Sequence, residues 1–269
     1  MFKDIVIIRG GGDLASGTIQ KLHRCGFRVL VLEVSNPTCI RRDVSFSEAV
    51  CLGEVEIEGI RAIHVHSLSE IENAWGNKIV PVIIDEKGKY IKIIKPKIVV
   101  DAIIAKRNLG TTRDMADIII ALGPGFIAGD DVDVVIETSR GHNLGRLIFK
   151  GGAAKNTGIP GTIMGYSKER VIYSPCAGIM KNILDIGDIV EKDEIIAYIG
   201  ETEVKATIPG LLRGILRNGS IVPKGFKIAD IDPRLSEKMN CYTISDKARS
   251  IAGGVLEAIL YLMVQNEGI

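Results

Sequence analysis

The residues with the clearest chemical potential stand at the start of the chain, in Arg9-Gly10-Gly11-Gly12-Asp13-Leu14-Ala15-Ser16-Gly17. Gly10, Gly12 and Ala15 follow the Gly-x-Gly-x-x-Gly/Ala spacing of a turn that holds a dinucleotide diphosphate. Gly10 allows the tight turn, Gly12 lets backbone approach the anion, and Ala15 lets the helix sit close on its strand. The first-turn N–H groups and the helix dipole favour negative charge there. Gly17 lies in the same run. Asp13 puts an acid beside the turn, where it either opposes an anion or caps the helix. Glu33 ends the next apolar strand and is the candidate acid for a ribose. Folds also keep such a turn for packing alone.

Three further groups could serve an anionic ligand. Arg41 and Arg42 are paired just beyond the second strand, suited to bidentate bonds to phosphate or carboxylate, or to a solvated turn. Gly123 and Gly125 flank Pro124 after an apolar strand, where successive N–H groups can form an anion nest. The loop Ser139-Arg140-Gly141-His142-Asn143-Leu144-Gly145-Arg146 gathers Arg140, Arg146 and His142 between glycines. His142 could relay protons near neutral pH or bond a backbone carbonyl.

These residues need a frame. Ile5–Ile8 and Val29–Leu32 read as buried strands around a helix, and Val80–Asp85, Ile98–Ala102, Ile118–Leu122 and Val132–Thr138 read as further strands. Val55 to Val65 reads as two short strands around Gly59, and Leu68–Trp75 as a short helix. Alternation of helices with apolar strands predicts an α/β fold, a Rossmann-like parallel sheet with helices on both faces. Ligands in such sheets lie beyond the strand C-termini, which puts Asp101, Lys106, Arg107 and Asn108 near the rim that carries Gly10 to Gly17.

The 269 residues suffice for two modest domains, and 46% hydrophobic residues with a mean hydropathy of +0.22 allow a large core. A net charge of +1 and 5% aromatics argue against nucleic-acid binding. The five cysteines are scattered, with no Cys-x-x-Cys, and read as reduced thiols of a cytoplasmic protein. No signal peptide and no membrane-length apolar run is expected. His64 and His66 would share one strand face, but no third ligand lies nearby in sequence, so no metal site is expected.

From about residue 171 to 232 the chain repeats with a period of 32: Gly178 aligns with Gly210, Gly187 with Gly219, Val190 with Val222, and Ile196 with Ile228. Each half reads as strand, Gly-x-x-Val turn, strand, too small to bury its own apolar face, so the halves must pack together. With Pro175 and Gly178 ahead of the first turn, the segment resembles the biotinyl/lipoyl-type barrel-sandwich hybrid. The tip between the halves, Gly200-Glu201-Thr202-Glu203, carries acids where that family bears its modified lysine, and Lys205 lies in the following strand. No biotin or lipoyl attachment is expected. Ser245 can cap a final apolar helix containing Gly253-Gly254, expected to pack closely on the first domain or on a dimer partner.

Long motifs carry a second resemblance. The Arg9–Gly17 run, Ile40-Arg41-Arg42-Asp43-Val44-Ser45-Phe46-Ser47-Glu48-Ala49-Val50, Leu122-Gly123-Pro124-Gly125-Phe126, and Glu137-Thr138 through Arg140-Gly141-His142 to Leu144-Gly145-Arg146 resemble the YqeB proteins of the selenium-dependent molybdenum hydroxylase system. That family is related in its Rossmann part to XdhC-like maturation factors. The resemblance implies an accessory role in maturing a selenium-dependent molybdenum hydroxylase. It also implies a molybdopterin-type cofactor as ligand and a hydroxylase client or other maturation factors as partners, while the glycine-turn residues equally suit a nucleotide such as NAD or FAD and the final helix leaves a homodimer open. Cys39 is the thiol nearest these motifs, a candidate for sulfur or selenium handling or an incidental thiol. The alternative is a nucleotide-dependent oxidoreductase or transferase with His142 as acid/base. The expected domains are 1–168 Rossmann-like, 169–235 barrel-sandwich hybrid and 236–269 C-terminal helix.

Overall fold

The computed structural model describes residues 4–267. The chain forms two compact units. The larger comprises the chain up to Pro37, Ser45–Asn156 and the chain from Ile244; the smaller comprises Thr38–Val44 and Thr157–Thr243.

In the larger unit the elements run β1 (Ile5–Arg9), α1 (Asp13–Arg24), β2 (Arg28–Glu33), the single-turn α2 (Ala49–Leu52), β3 (Glu54–Ile57), β4 (Ile60–His64), α3 (Leu68–Gly76), β5 (Val80–Ile84), α4 (Lys89–Ile94), β6 (Ile98–Asp101), β7 (Ile118–Leu122), β8 (Val134–Ile136), β9 (Leu147–Ile148) and, after the smaller unit, α5 (Asp246–Glu267). The strands make one sheet of nine in the order β3-β4-β5-β2-β1-β6-β7-β8-β9. β4 to β8 pair in parallel, whereas β3 on β4 and β9 on β8 are antiparallel. The strand order reverses at β1, which lies between β2 and β6.

The two faces of the sheet follow from the period of two along each strand. Val6, Ile8, Val31, Val100 and Ile120 enter one core with Ile19 and Leu22 of α1 and Ile251, Val255 and Ile259 of α5. Ile7, Leu30, Val99 and Ile119 enter the core on the other face, with Ile71 of α3 and Ile91 of α4. Each such side chain contributes about 1.5–3 kcal/mol by burial. The β3–β4 hairpin turns on Glu58 and Gly59, both at positive φ, the requirement of a two-residue type I′ loop. Ser67 caps α3 by accepting from the Glu70 N–H.

α1 and α5 cross at glycine. A Cβ on Gly17 would lie 2.5 Å from the Ala248 carbonyl oxygen, and one on Gly254 would overlap the Gly145 carbonyl. The glycine pair inside α5 lowers helix propensity, and at Gly254 the close approach of the 141–145 loop offsets that loss.

The smaller unit contains β10 (Val171–Tyr173), β11 (Gly178–Asn182), β12 (Ile189–Val190), β13 (Ile195–Ile199), β14 (Thr202–Lys205), β15 (Gly210–Ile215), β16 (Ile221–Val222) and β17 (Lys227–Asp232). They form two antiparallel sheets, β10-β17-β15-β12 and β14-β13-β11-β16. The 32-residue repeat maps β11, β12 and β13 onto β15, β16 and β17. The halves exchange their middle strands: β12 pairs with β15 of the second half, and β16 with β11 of the first. Met180, Val190, Ile196, Leu212, Val222 and Ile228 meet in the shared core.

The expected fold class, a parallel Rossmann-like sheet joined to a barrel-sandwich hybrid and a C-terminal helix, is therefore corrected. The large sheet is mixed, with an antiparallel strand at each edge, because a hairpin loop on one side and the 137–146 loop on the other are too short for a crossover to a parallel strand. The smaller unit is two four-stranded antiparallel sheets around one core.

Candidate functional site

The C-terminal ends of β1 and β6 frame the point where strand order reverses, and the glycine turn opens there. Gly10 holds φ at +92°, and a Cβ on it would lie 3.0 Å from the Ile103 Cα, so the loop after β6 starts against the turn. Gly10 donates to the Leu32 carbonyl at 2.8 Å, and Gly11 accepts from the Ser47 N–H at 2.9 Å. Gly12 is the N-cap of α1, and no side chain caps that end. The first-turn N–H groups of a helix have no acceptor within it. Asp13 opens the helix, where its charge favours the dipole. Ala15 is buried and packs in the core.

Glu33 reaches back from β2 to the same turn. Its Oε1 accepts from the Gly11 N–H at 2.5 Å and its Oε2 from the Val34 N–H at 2.8 Å. Burial pushes this carboxyl above its usual range, the two N–H donors pull it down, and the nearby Glu48 charge adds a further upward push. The ribose acid of the sequence expectation thus binds its own turn.

Below the turn lies a buried polar network absent from the sequence reading. Arg9 donates to the Thr111 hydroxyl, and that hydroxyl donates to Asp101 Oδ2 at 2.5 Å. Arg9 Nη1 lies 3.5 Å from the same carboxylate oxygen, and Asp101 Oδ1 accepts from the Ile103 N–H at 3.1 Å. All three side chains are almost wholly buried. Burial raises the Asp101 carboxyl, against the pull of Thr111, the Ile103 N–H and Arg9. Asn108 shapes the loop end by accepting from the Gly110 and Thr111 N–H groups, each at 2.8 Å. The network fixes residues 103–111, and Lys106 and Arg107 stand exposed on that loop.

The second glycine turn is filled by the chain itself. A Cβ on Gly125 would lie 2.5 Å from the Arg107 backbone nitrogen, and one on Gly123 would lie 2.5 Å from Thr138 Oγ1. Both turns therefore grip the rim loop, Gly10 at Ile103 and Gly125 at Arg107. Gly17 serves the helix crossing.

The remaining arginines are engaged elsewhere. Buried Arg41 donates to the carbonyls of Asn240, Cys241 and Thr243 at 2.9, 3.3 and 3.2 Å. Arg42 donates from Nε to the Ile215 carbonyl at 2.8 Å and pairs with Asp185. Both belong to the smaller unit, where Arg41 ties the 38–44 segment to residues 240–243 and Arg42 ties it to β15 and Asp185. Arg140 makes two bonds to Asp246, at 2.9 and 3.1 Å, and Arg146 donates to Asn143 at 2.9 Å. His142 is exposed at the loop tip. Glu137, not singled out by spacing, holds that loop: its carboxylate accepts from the Ser139 and Ala154 N–H groups at 2.7 and 2.8 Å. The bonds of Thr111 to Asp101 and of Glu137 to Ala154 span ten or more residues, which no local spacing displays. Lys106 and Arg107 were legible, since an apolar strand ending in an acid precedes them. Among the described residues, no cluster of three His, Cys, Asp or Glu side chains could hold a metal ion.

No family model matches the chain. By sequence it has a close homologue, described as uncharacterized protein YqeB of Escherichia coli K12, 50% identical over 261 residues and 97% of this chain. The chain spans about half of that relative, 48% of its length. Solved structures similar to it include the ectoine utilization protein EutE (DoeB) from Ruegeria pomeroyi in its product-bound form, at 10% identity and a TM-score of 0.26 over 85% of each chain. They also include a succinylglutamate desuccinylase from Silicibacter, at 10% identity and a TM-score of 0.27 over 85% of this chain and 84% of that one. An aspartoacylase family protein from Mesorhizobium loti shows 13% identity and a TM-score of 0.26, over 86% of this chain and 85% of that one. At such TM-scores these likenesses carry no argument about activity.

The expected role as a maturation factor for a selenium-dependent molybdenum hydroxylase is corrected. The arginines assigned to its ligand, Arg41, Arg42 and Arg140, bind the chain's own carbonyls and carboxylates. His142, the acid/base of the alternative reading as a nucleotide-dependent enzyme, is exposed at its loop tip.

Proposed function

We propose that the larger unit binds a diphosphate-bearing small molecule at the β1–β6 rim. One observation carries this: the start of α1, with no side-chain cap, opens from the Gly10–Gly12 turn at the reversal of strand order, against the loop that begins at Ile103 and exposes Lys106 and Arg107. Open α/β sheets place ligands at this position. Backbone N–H groups at the helix start and two cations nearby are the donors a diphosphate requires. NAD, FAD and a molybdopterin dinucleotide all present that group. The sequence resemblance to proteins of a molybdenum hydroxylase system supports including the last among the ligands tested.

Thermal-shift titration of the purified chain with pyrophosphate, ADP, NAD, FAD and a molybdopterin dinucleotide tests the proposal. A saturable rise in Tm with one of the diphosphates is expected, weakened at least tenfold in affinity by the double variant Lys106→Gln/Arg107→Ala. A chain that responds to none of them, or a double variant that binds as the parent does, overturns it.

A further inference from the structure

α5 uses only part of its circumference. Ala248, Ile251, Val255 and Ile259 face the core, while Leu260, Tyr261 and Val264 remain 38%, 49% and 46% exposed on another side. Spaced by one, three and four residues, these three form an apolar stripe along the last turns of the helix. Phe149, 47% exposed, lies against it, with its ring 5.2 Å from that of Tyr261. Phe149 directly follows β9, the terminal strand of the nine-stranded sheet. Stripe and strand enclose a shallow cleft of about 530 Å³, whose wall carries Arg146 and Glu257. Exposed sheet edges and contiguous apolar patches are the features that proteins otherwise cover.

The charges identify the occupant. Among the described residues the Arg146 side chain bonds only Asn143, and Glu257 has no ion-pair partner. A patch with one cation, one anion and an apolar centre is complementary to itself: a two-fold axis through it brings Arg146 of each copy to Glu257 of the other. Interfaces of this isologous kind are the commonest in soluble oligomers. We infer that the chain forms a two-fold homodimer through the α5–β9 face, with Tyr261 and Phe149 at its centre and reciprocal Arg146–Glu257 pairs at its rim. Aromatic anchors inside a polar rim are the usual anatomy of such contacts.

Sedimentation velocity across a concentration series tests this on the full chain. A concentration-dependent dimer is expected. Tyr261→Asp and the charge reversals Arg146→Glu and Glu257→Arg should each shift the species to monomer while circular dichroism and Tm stay near those of the parent. The double reversal Arg146→Glu/Glu257→Arg should restore the dimer, because the pairing is reciprocal. A parent chain that stays monomeric throughout overturns the inference, as does a dimer that none of the single variants dissociates. The face would then be one that another partner covers, or that stays in solvent.

Discussion

At the scale of single residues, the rim depends on two acids, buried Asp101 and half-buried Glu33, that the fold holds in different ways. Thr111 is the bridge between Arg9 and Asp101, accepting from one and donating to the other. Thr111→Val keeps the shape and removes the hydroxyl, so two buried charged groups each lose a partner. Urea unfolding should show a loss of about 1–3 kcal/mol. Glu33 gives a pH signature. Its folded-state carboxyl is raised, chiefly by burial, so the folded chain holds its proton more tightly than the unfolded chain does. Stability should therefore fall as pH rises from the ordinary glutamate range through the raised folded value, and the penalty should be complete above that value. Glu33→Gln, measured across the same pH series, should lack this component. An unchanged slope would show that Glu33 is not its source.

At the scale of elements, the sequence was most legible where one period ran uninterrupted. The apolar strands Ile5–Ile8, Ile98–Asp101 and Ile118–Leu122, the pair of short strands around Gly59, and the glycine-bearing last helix all declare themselves in spacing and turn chemistry. β9 did not, because two residues are too few for any period. Its existence depends on the antiparallel pairing Ile136–Leu147, which no local pattern encodes. The α1–α5 crossing supplies a paired test of the glycines. Gly17→Ala should lower stability by about 1–3 kcal/mol, since its Cβ meets the backbone of Ala248. Gly253→Ala meets nothing within 4 Å and should raise stability by about 0.5–1 kcal/mol through helix propensity. Thermal melts of both variants decide the point, and equal effects would contradict the crossing described.

At the scale of the whole molecule, the repeat was legible and its consequence was not. Spacing showed that neither half of the 171–232 segment suffices alone. The exchange of β12 and β16 between halves is a long-range pairing that only the fold displays. Val190 and Val222, one repeat apart and both buried, should contribute alike: alanine at either position should destabilise the chain by about 2 kcal/mol, read by denaturant unfolding. The assignment of Arg41 and Arg42 to the smaller unit was equally hidden. They follow β2 in sequence, but their acceptors lie more than 140 residues away. The segment Leu235–Asn266 has the length and mean hydropathy, 1.2, of a membrane span, and 44% of its most apolar window is buried in protein. In α5 that burial is the packing of its apolar face into the core of the larger unit.

The central claim is the location of a diphosphate site at the β1–β6 rim. The most direct test is backbone amide NMR of the isotopically labelled chain during titration with ADP and, separately, with pyrophosphate. The account predicts saturable shifts concentrated at Gly11 to Leu14 and Ile103 to Arg107, with the amides around Arg41 and Arg42 unmoved. Shifts centred elsewhere, or none at saturating ligand, would contradict it.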